Sequence, residues 1–354
     1  MRLGILIAAF CLPASLVAQE WSLVWSDEFD GDTLDDTKWV HDLGTGSQYG
    51  LWGWGNGELQ YYQPYNTSVA NGVATIEARE ESNGIIDSWG NSSYYSSSKI
   101  TTKGLFDFRY GKVEASIKSI NGEGFWPAFW MLPTGGNWPC DGEIDIVEHW
   151  GSDYITNSTT GAAHLGACPY SSATHEYESF SSYLAPGSFA DDFHTYGIVW
   201  REDTITWYVD DAIHFQVTPD SYNNIPEVAS WPFNSNEWYI MINLAITQSG
   251  PSNNTVFPNN IQIDWVRVYQ DGPISTEELP GSNLKVYPNP ASNTLNIEGG
   301  DLIRATLFNL EGRVVLSAPL LNAKTIDVQD VESGMYLLEL EGAKGIQTKK
   351  IIIE

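Results

Sequence analysis

The stretch "CDGEIDIVEHW", residues 140–150, places three carboxylates within a run of aliphatic residues. Alternate side chains of a β-strand point to the same face, so Glu143 and Asp145 share one face while the isoleucines beside Asp145 point to the other. Glu148 lies five residues beyond Glu143 and is therefore out of phase by one residue. The stretch predicts a strand whose apolar face is buried and whose opposite face carries acids.

A single β-bulge at Ile146 or Val147 would restore the phase and bring all three acids onto one concave surface. Two carboxylates about 5 to 5.5 Å apart suit retaining glycoside hydrolysis, one as the nucleophile and the other as acid and then base. A third acid between them can share a proton with the nucleophile and help to raise the pKa of the acid. A calcium cluster or a solvated sheet edge is the alternative, although calcium loops prefer Gly, Asn and Asp at close intervals.

Strand-like runs recur along the chain, and turn residues separate them. Helical periodicity is almost absent, and 32 Gly and 17 Pro punctuate the sequence. The runs are "GVATIEARE", "GKVEASIKSI", "HTYGIVW", "DTITWYVDD", "EWYIMINLAI" and "IQIDWVRVYQ". The polar segment "SNGIIDSWGNSSYYSSSK" reads as a long loop. This pattern predicts an all-β fold, either a sandwich or a barrel.

The composition narrows the class of partner. The chain has 354 residues, 42% of them hydrophobic, which is ample for a core and predicts about two domains. Its 45 acidic and 17 basic residues give a net charge of −28, which disfavours nucleic acid or an anionic membrane surface and suits a neutral substrate. The 15 Trp and 18 Tyr suit stacking on sugars and, equally, the core of a β-sandwich.

Four segments follow from the organisation of the sequence. Residues 1–18 read as a secretory signal peptide with a basic start, an apolar run and a small-residue cleavage site. No later stretch reaches the ~18 consecutive apolar residues of a spanning helix, so we expect no membrane insertion. Residues 272–283 form a Pro/Gly/acidic linker beyond which Trp disappears. We therefore expect a main domain over 19–271 and a second small all-β domain over 284–354.

The cysteines predict one covalent link. Removal of the signal peptide leaves Cys140 and Cys168 as an even pair in an oxidising compartment, where a disulfide is expected. Two buried free thiols are the alternative. A zinc site is not supported, since no C-x-x-C or H-x-x-x-H spacing accompanies these residues.

The block "GEIDIVEHWG" resembles the E-x-D-x-x-E signature of family 16 glycoside hydrolases, especially the laminarinase-like endo-β-1,3-glucanases. The blocks "WSDEFDGDTLDDTKW", "WGNGELQYY", "YGKVEASIK", "GFWPAFWMLP", "FHTYGIVW", "YVDD" and "IDWVRVYQ" resemble other parts of that family in the same order, over roughly residues 20–271. The resemblance implies a two-sheet jelly-roll β-sandwich with a long concave cleft. It also implies Glu143 as nucleophile, Asp145 as its assisting acid and Glu148 as general acid/base.

The same resemblance implies residues that contact the sugar chain. Trp126 and Trp130 of "FWPAFW" are candidates for the cleft, with core packing as the alternative for each, and Trp126 is the stronger candidate for a sugar platform. Asn56 and Glu58 of "WGNGELQ" resemble a polar subsite loop that bonds sugar hydroxyls. His164 matches a cleft histidine of laminarinase-like members, with a structural histidine as the alternative.

Family resemblance also implies a structural calcium far from the chemistry. Its ligands would be Glu28, the Gly72 backbone and Asp264, a hard-oxygen set that suits calcium. The hydrolysis itself is expected to need no cofactor. Two departures limit the resemblance: Ser116 stands where the family usually has Arg, and "NLAITQSGPSNNTVF" replaces a loop that contains Gly and Trp. The second departure lies at the cleft rim and bears on the glucan preference.

The C-terminal segment resembles the sorting domain of the Bacteroidetes type IX secretion system. The resemblance lies in "VYPNPASNTLNI", "LFNLEGRVV", "GMYLLEL" and a final "KKIII", in that order. It implies export by the secretion machinery and a secreted or cell-surface location. A small carbohydrate-binding or immunoglobulin-like module is the alternative, but exposed aromatic residues are scarce in this segment.

Together these features predict a monomeric, secreted, retaining endo-glucanase that hydrolyses internal β-1,3 bonds of laminarin-type glucans. Within the same enzyme class, the alternative substrates are mixed-linkage glucan, agar and carrageenan. From another class, the alternative is a non-catalytic glucan-binding lectin. A lectin would not need all three carboxylates, so their presence favours the enzyme.

Overall fold

The computed structural model describes residues 21–151, 157–172, 174–184, 186–222, 231–271, 285–299, 302–309, 314–320, 324–342 and 345–354. The predicted signal peptide, residues 1–18, and the predicted linker, residues 272–283, lie outside the described residues. The chain divides into two compact units, one of which is Trp21–Gln270 while the other contains the residues from Asp271 onward.

Both units are built from β-strands. In the first unit the strands are β1 (Trp21–Asp27), β2 (Val40–His41), β3 (Gln60–Tyr62), β4 (Thr67–Ala70), β5 (Val73–Ile86), β6 (Ser92–Ser97), β7 (Lys99–Thr101), β8 (Gly111–Lys118), β9 (Phe125–Pro133), β10 (Glu143–Glu148), β11 (Ser158–Gly166), β12 (His175–Tyr183), β13 (His194–Arg201), β14 (Thr204–Val209), β15 (Ala212–Val217), β16 (Trp238–Ile246) and β17 (Asn259–Asp271). Single turns of 3-10 helix occupy Ser47–Tyr49, Trp52–Gly55, Pro64–Asn66, Pro219–Tyr222 and Pro232–Asn234. Within the ranges described above, no helix is long and apolar enough to cross a membrane.

The strands of the first unit form two large sheets. The ten-stranded sheet has the order β15-β14-β13-β8-β17-β5-β6-β3, with β1 paired to β17 and β4 paired to β5. The seven-stranded sheet has the order β12-β11-β10-β9-β16-β7-β2. The predicted all-β sandwich is confirmed, and each of the six strand-like runs singled out in the sequence is a strand.

One core fills the space between these sheets. Trp200 and Ile263 from the ten-stranded sheet belong to the same buried cluster as Phe129, Ile144 and Ile240 from the seven-stranded sheet. In β9 burial alternates residue by residue, so its odd-numbered residues face this core and its even-numbered residues face away from it. The side of the seven-stranded sheet that faces away from the core, called the outer face below, carries the acids.

One local expectation is wrong. The segment "SNGIIDSWGNSSYYSSSK" is not a long loop, because β5 continues to Ile86 and pairs antiparallel with β6. Ser96 of β6 can be buried because its hydroxyl has partners: it donates to Glu81 Oε1 at 2.6 Å and accepts from Asn66 Nδ2 at 3.0 Å. Polar strands satisfied in this way lack the apolar alternation that reveals a strand in sequence.

The second unit forms two smaller sheets, as predicted for a small all-β domain. Its strands are β18 (Lys285–Tyr287), β19 (Thr294–Glu298), β20 (Leu302–Phe308), β21 (Val314–Pro319), β22 (Thr325–Asp327), β23 (Gly334–Gly342) and β24 (Gly345–Ile353). They pair in the orders β18-β19-β22 and β21-β20-β23-β24. Leu295, Leu307, Leu338 and Leu340 are fully buried in a core of their own.

Candidate active site

The three acids lie on β10, the third strand from the edge of the seven-stranded sheet. Glu143 pairs with His164 of β11, and Glu148 pairs with Thr160 of the same strand. Glu143 and Glu148 are thus five positions apart on β10, but their partners on β11 are four positions apart. The register shifts after Asp145 in the pairing with β11 and also in the pairing with β9. The predicted β-bulge is therefore present, and it returns Glu148 to the outer face.

Two contacts fix β10 in this conformation. Trp207 of β14 donates its indole N–H to the carbonyl oxygen of Asp145 at 2.8 Å, so the opposite sheet holds the backbone where the bulge begins. Gly142 enters the strand with φ +89°, and a Cβ at this position would lie 2.9 Å from Phe233 Cε1. Only glycine readily adopts this left-handed φ and leaves room for the Phe233 ring, so the position before Glu143 requires a Gly.

The environment of the three acids favours their protonated forms. Asp145 is only 4% exposed. Burial raises the pKa of Asp145 to about 7. Burial and the neighbouring Asp145 charge together raise the pKa of Glu148 to about 8. Burial and the Asp145 carboxylate also raise the pKa of Glu143 well above its ordinary value. Buried like charges cannot all ionise cheaply, so Glu148 holds its proton at neutral pH while Glu143 and Asp145 share one between them.

A pair of histidines extends this cluster across β11 and β12. His164 Nε2 lies 3.0 Å from Asp145 Oδ2, and His164 Nδ1 lies 3.0 Å from His175 Nε2. The two imidazole rings are parallel, with centroids 5.2 Å apart. Burial and the neighbouring His164 lower the pKa of His175, which favours its neutral form. His164 is thus oriented from both ring nitrogens, between the buried acid and a neutral partner.

Donor atoms from Glu143, Asp145 and His164 lie within 4.8 Å of one another, a spacing that a metal ion could also accept. The same three groups form a self-sufficient acid–base cluster. A proton shared between Glu143 and Asp145 removes the like-charge repulsion that a cation would otherwise relieve. These side chains alone can therefore supply the acid–base chemistry.

Trp126 and Trp130 both stand on the outer face, as the alternation of β9 requires. Trp126 donates its indole N–H to Glu148 Oε1 at 2.9 Å and stacks on Trp150, with centroids 4.4 Å apart. Its hydrogen bond stabilises the charged form of Glu148 and so opposes the upward pKa shift. Trp126 therefore orients one acid directly, in addition to offering an aromatic surface.

Trp130 belongs to a polar network on the β16 side of the acids. Its indole N–H donates to Asn243 Oδ1 at 2.7 Å, and the Asn243 amide donates to Tyr62 OH at 3.1 Å. Tyr62 donates in turn to Glu58 Oε2 at 3.1 Å, and the exposed Asn56 donates to Glu58 Oε1 at 3.4 Å. Both predicted residues of the "WGNGELQ" loop are thereby brought to the acid-bearing sheet.

Three further residues beside the acids were not predicted from the sequence: Lys99, Asn243 and His175. Lys99 of β7 is buried, with its ammonium 4.0 Å from the Trp54 ring centroid and 5.1 Å from that of Trp130. Lys99 and Asn243 are paired across β7 and β16. Lys99 could have been noticed as a charged residue within a short strand whose residues are all buried. His175 gave no signal, since its partner is determined by the pairing of β11 with β12.

The two predicted disulfide cysteines lie within bonding distance. Their sulfur atoms are 2.11 Å apart and their Cα atoms 5.4 Å apart. Cys140 lies in the loop between β9 and β10, and Cys168 lies in the loop between β11 and β12. The link joins two loops that lie beside the acid-bearing strand.

Of the predicted calcium ligands, Glu28 is bound by an arginine side chain. Glu28 accepts two hydrogen bonds from Arg267, at 3.0 Å and 2.7 Å. Gly72 occupies a turn with φ +76°, and Asp264 lies where the register of β17 shifts. Because Arg267 already neutralises Glu28, the described arrangement fits an ion pair better than a calcium ligand. The calcium site remains a prediction.

Comparison with known proteins agrees with this architecture. Residues 57–267 match the family described as glycosyl hydrolases family 16, and residues 285–354 match the secretion system C-terminal sorting domain. The chain is 35% identical to "Glucan endo-1,3-beta-glucosidase A1" of Niallia circulans over 71% of this chain, and it spans 38% of that relative's length. It is 35% identical to "Beta-glucanase" of Rhodothermus marinus, over 72% of this chain and 86% of that protein.

Among solved structures, the laminarinase catalytic domain from Thermotoga maritima MSB8 is 37% identical, with a TM-score of 0.65. The likeness covers 72% of this chain and all of that domain (100%). The endo-beta-1,3-glucanase from Pyrococcus furiosus is 38% identical, with a TM-score of 0.64, over 71% of this chain and 96% of that one. The bulged acidic strand, the two-sheet jelly roll and these matches together assign the chain to glycosyl hydrolases family 16, with a secretion system C-terminal sorting domain after it.

Proposed function

We propose that this protein is a secreted, retaining endo-β-1,3-glucanase that cleaves internal bonds of laminarin-type glucans. The observation that carries the proposal is the β-bulge after Asp145, which returns Glu148 to the same outer face as Glu143 while Asp145 stays buried between them. We assign Glu143 as nucleophile, Asp145 as its assisting acid and Glu148 as general acid/base. The proposal extends to this chain the activity in the names of its laminarinase relatives.

In the first step the glycosidic bond breaks and a covalent bond to the enzyme forms. Glu148 is protonated at neutral pH because burial raises its pKa to about 8, so it can give its proton to the leaving oxygen. Glu143 attacks the anomeric carbon from the opposite side and forms a glycosyl ester. Asp145 keeps the proton that it shares with Glu143, which leaves the attacking carboxylate with the negative charge. His164 Nε2, 3.0 Å from Asp145 Oδ2, positions this pair from the β11 side.

In the second step water releases the sugar. Glu148 is now a carboxylate and accepts a proton from water, whose oxygen attacks the anomeric carbon and breaks the ester to Glu143. Two inversions at the same carbon give net retention. Trp126 supports this second step, since its N–H on Glu148 Oε1 stabilises the charged form that accepts the proton from water.

Substrate recognition is assigned to polar and aromatic groups around the acids. Asn56, Glu58 and Trp130 lie on the β16 side, and Lys99 adds a buried cation above the Trp130 ring. An uncharged sugar chain suits a protein of net charge −28, because no ionic repulsion opposes its approach. The hydrolysis uses only side chains of the protein, and a structural calcium remains a separate prediction.

The segments of the chain are assigned accordingly. Residues 1–18 act as the signal peptide, 19–271 as the hydrolase, 272–283 as the linker and 284–354 as the sorting domain. The matched sorting domain indicates a secreted or cell-surface protein. We propose that the mature enzyme is a monomer that contacts the secretion machinery through its C-terminal unit.

The release of reducing ends from a panel of polysaccharides tests the proposal. Laminarin is expected to be cut fastest and to yield short oligosaccharides early, as internal cleavage requires. The control is Glu143→Gln, which keeps the shape of the side chain and removes the nucleophile. Cleavage of mixed-linkage glucan, agar or carrageenan with laminarin intact would overturn the substrate assignment alone. Binding of laminarin without any cleavage would favour the lectin alternative.

A further inference from the structure

Four aromatic rings cluster on the β12 side of the acids. Trp138 lies in the loop between β9 and β10, and Tyr170 lies in the loop between β11 and β12. His175 and Tyr177 follow on the edge strand β12. Trp138 is 40% exposed, Tyr170 54% and Tyr177 57%. Three large rings therefore present their surfaces to solvent at one edge of the sheet.

The rings contact one another as a group. The Trp138 ring centroid lies 4.9 Å from that of Tyr170 and 4.9 Å from that of His175. His175 and Tyr177 have centroids 6.0 Å apart with an interplanar angle of 27°. Mutual contact of this kind restricts the rotamers of the rings and leaves their remaining faces available. A contiguous exposed aromatic surface commonly marks a binding site in a soluble protein.

The Cys140–Cys168 bond connects the two loops that carry the outermost rings. Cys140 lies two residues after Trp138, and Cys168 lies two residues before Tyr170. The cross-link therefore limits how far either ring can move from the other. A surface held in place before binding loses less conformational freedom when the ligand arrives.

This cluster is continuous with the catalytic centre. His175 contacts His164, which lies beside Asp145 and also stacks on Tyr177 with centroids 5.1 Å apart. The predicted polar loop with Asn56 and Glu58 lies on the opposite side of the acids, beyond β9 and β16. A chain that crosses the acids from the polar loop would next meet these rings.

We propose that Trp138, Tyr170 and Tyr177 form an aromatic platform that binds glucosyl units of a long neutral β-glucan beyond the cleaved bond, with the Cys140–Cys168 disulfide holding the platform in position. The occupant is a sugar because its apolar C–H faces stack on aromatic rings, and it is neutral because the protein carries a charge of −28. The inference rests on the proposed glucanase function and extends its substrate site to β12.

Affinity electrophoresis in gels that contain laminarin tests the platform directly. The parent is Glu143→Gln, which binds without cutting. Addition of Trp138→Ala and Tyr170→Ala is expected to raise the dissociation constant about tenfold, the effect of losing two stacked aromatic contacts. Tyr177→Ala, on the strand rather than in the loops, is expected to raise it about threefold. The matched control is Tyr65→Ala, which removes a ring that is 80% exposed and lies outside the cluster.

In the active enzyme the Trp138→Ala/Tyr170→Ala pair is expected to raise KM for laminarin with kcat unchanged, because the platform contacts sugar units that do not react. Gel retardation equal to that of the parent, or equal to that of Tyr65→Ala, would overturn the platform. Should another polysaccharide retard the parent instead of laminarin, the substrate assignment fails and the same comparison in that polysaccharide decides the platform. A parent that no polysaccharide retards would overturn both proposals.

Discussion

Replacement of Glu148 by glutamine should change how the stability of the protein depends on pH. The side chain is half-buried, and its pKa is raised from 4.5 to about 8 by burial and by the charge of Asp145. A raised folded-state pKa means that the folded state binds the proton more tightly than the unfolded state does. The resulting stability is fully present below about pH 4.5 and is lost as the pH rises through about 8.

The size of the effect follows from the shift. At about 1.4 kcal/mol per pKa unit, a rise from 4.5 to about 8 corresponds to roughly 4 to 5 kcal/mol lost between acidic and alkaline pH. Coupling with Asp145 shares this loss between the two acids, so we expect Glu148→Gln to recover about 2 to 4 kcal/mol at pH 9. For a domain of this size, ~3 kcal/mol corresponds to a rise in Tm of roughly 6 to 12 °C.

Thermal unfolding followed by tryptophan fluorescence at pH 5, 7 and 9 measures this difference. Glu148→Gln should match the wild type at pH 5 and exceed it at pH 9, since glutamine keeps an oxygen that accepts from Trp126. The control is Glu80→Gln, an exposed residue of β5, which should follow the wild type at every pH. If Glu148→Gln and the wild type lose stability in parallel up to pH 9, the raised pKa of Glu148 is refuted.

Three further predictions concern the site. Azide should restore activity to Glu143→Ala with an α-glycosyl azide as product and to Glu148→Ala with a β-glycosyl azide, because only the latter still forms the covalent intermediate; the opposite pattern would reverse the two roles. Trp126→Phe removes the N–H that stabilises charged Glu148, so the basic limb of the kcat/KM profile should move to higher pH, and an unmoved limb would argue against this role. Mass spectrometry of the unreduced mature protein should show Cys140 and Cys168 linked, whereas two alkylatable thiols in the folded protein would contradict the bond.

The face of β10 on which the acids lie could be predicted from the spacing of residues within the motif. Glu148 lies five positions after Glu143, an odd number that puts the two on opposite faces of a regular strand, and the aliphatic residues between them must face a core. A bulge is the local change that places both acids on the same face. The spacing of the acids therefore predicts a bulge between Asp145 and Glu148. The structure confirms it, because the register shifts between Asp145 and Val147.

The residues around the acids could not be predicted in the same way. His175 reaches His164 through the pairing of β11 with β12, and Asn243 reaches Trp130 through the pairing of β16 with β9. Such contacts depend on the order of strands in a sheet, which single-strand periodicity does not encode. The burial of Lys99 against two tryptophan rings likewise depends on tertiary packing.

The serine-rich strand β6 shows a related limit. The hydroxyl of its buried Ser96 is satisfied by Glu81 of β5 and by Asn66 of a 3-10 turn. Apolar alternation detects strands that are stabilised by side-chain burial in a hydrophobic core. Strands whose buried side chains are polar are detected only when their partners are known.

Proton NMR of the first products from laminarin tests the central claim most directly, because the order in which the anomers appear reports the arrangement of the two acids. The account predicts that the β-anomer forms first and that the α-anomer appears only later, as mutarotation supplies it. Glu143 then acts as a nucleophile on the same face as Glu148. An α-anomer that forms first would mean direct attack by water and inversion, and it would contradict the proposed roles of all three acids on the bulged strand.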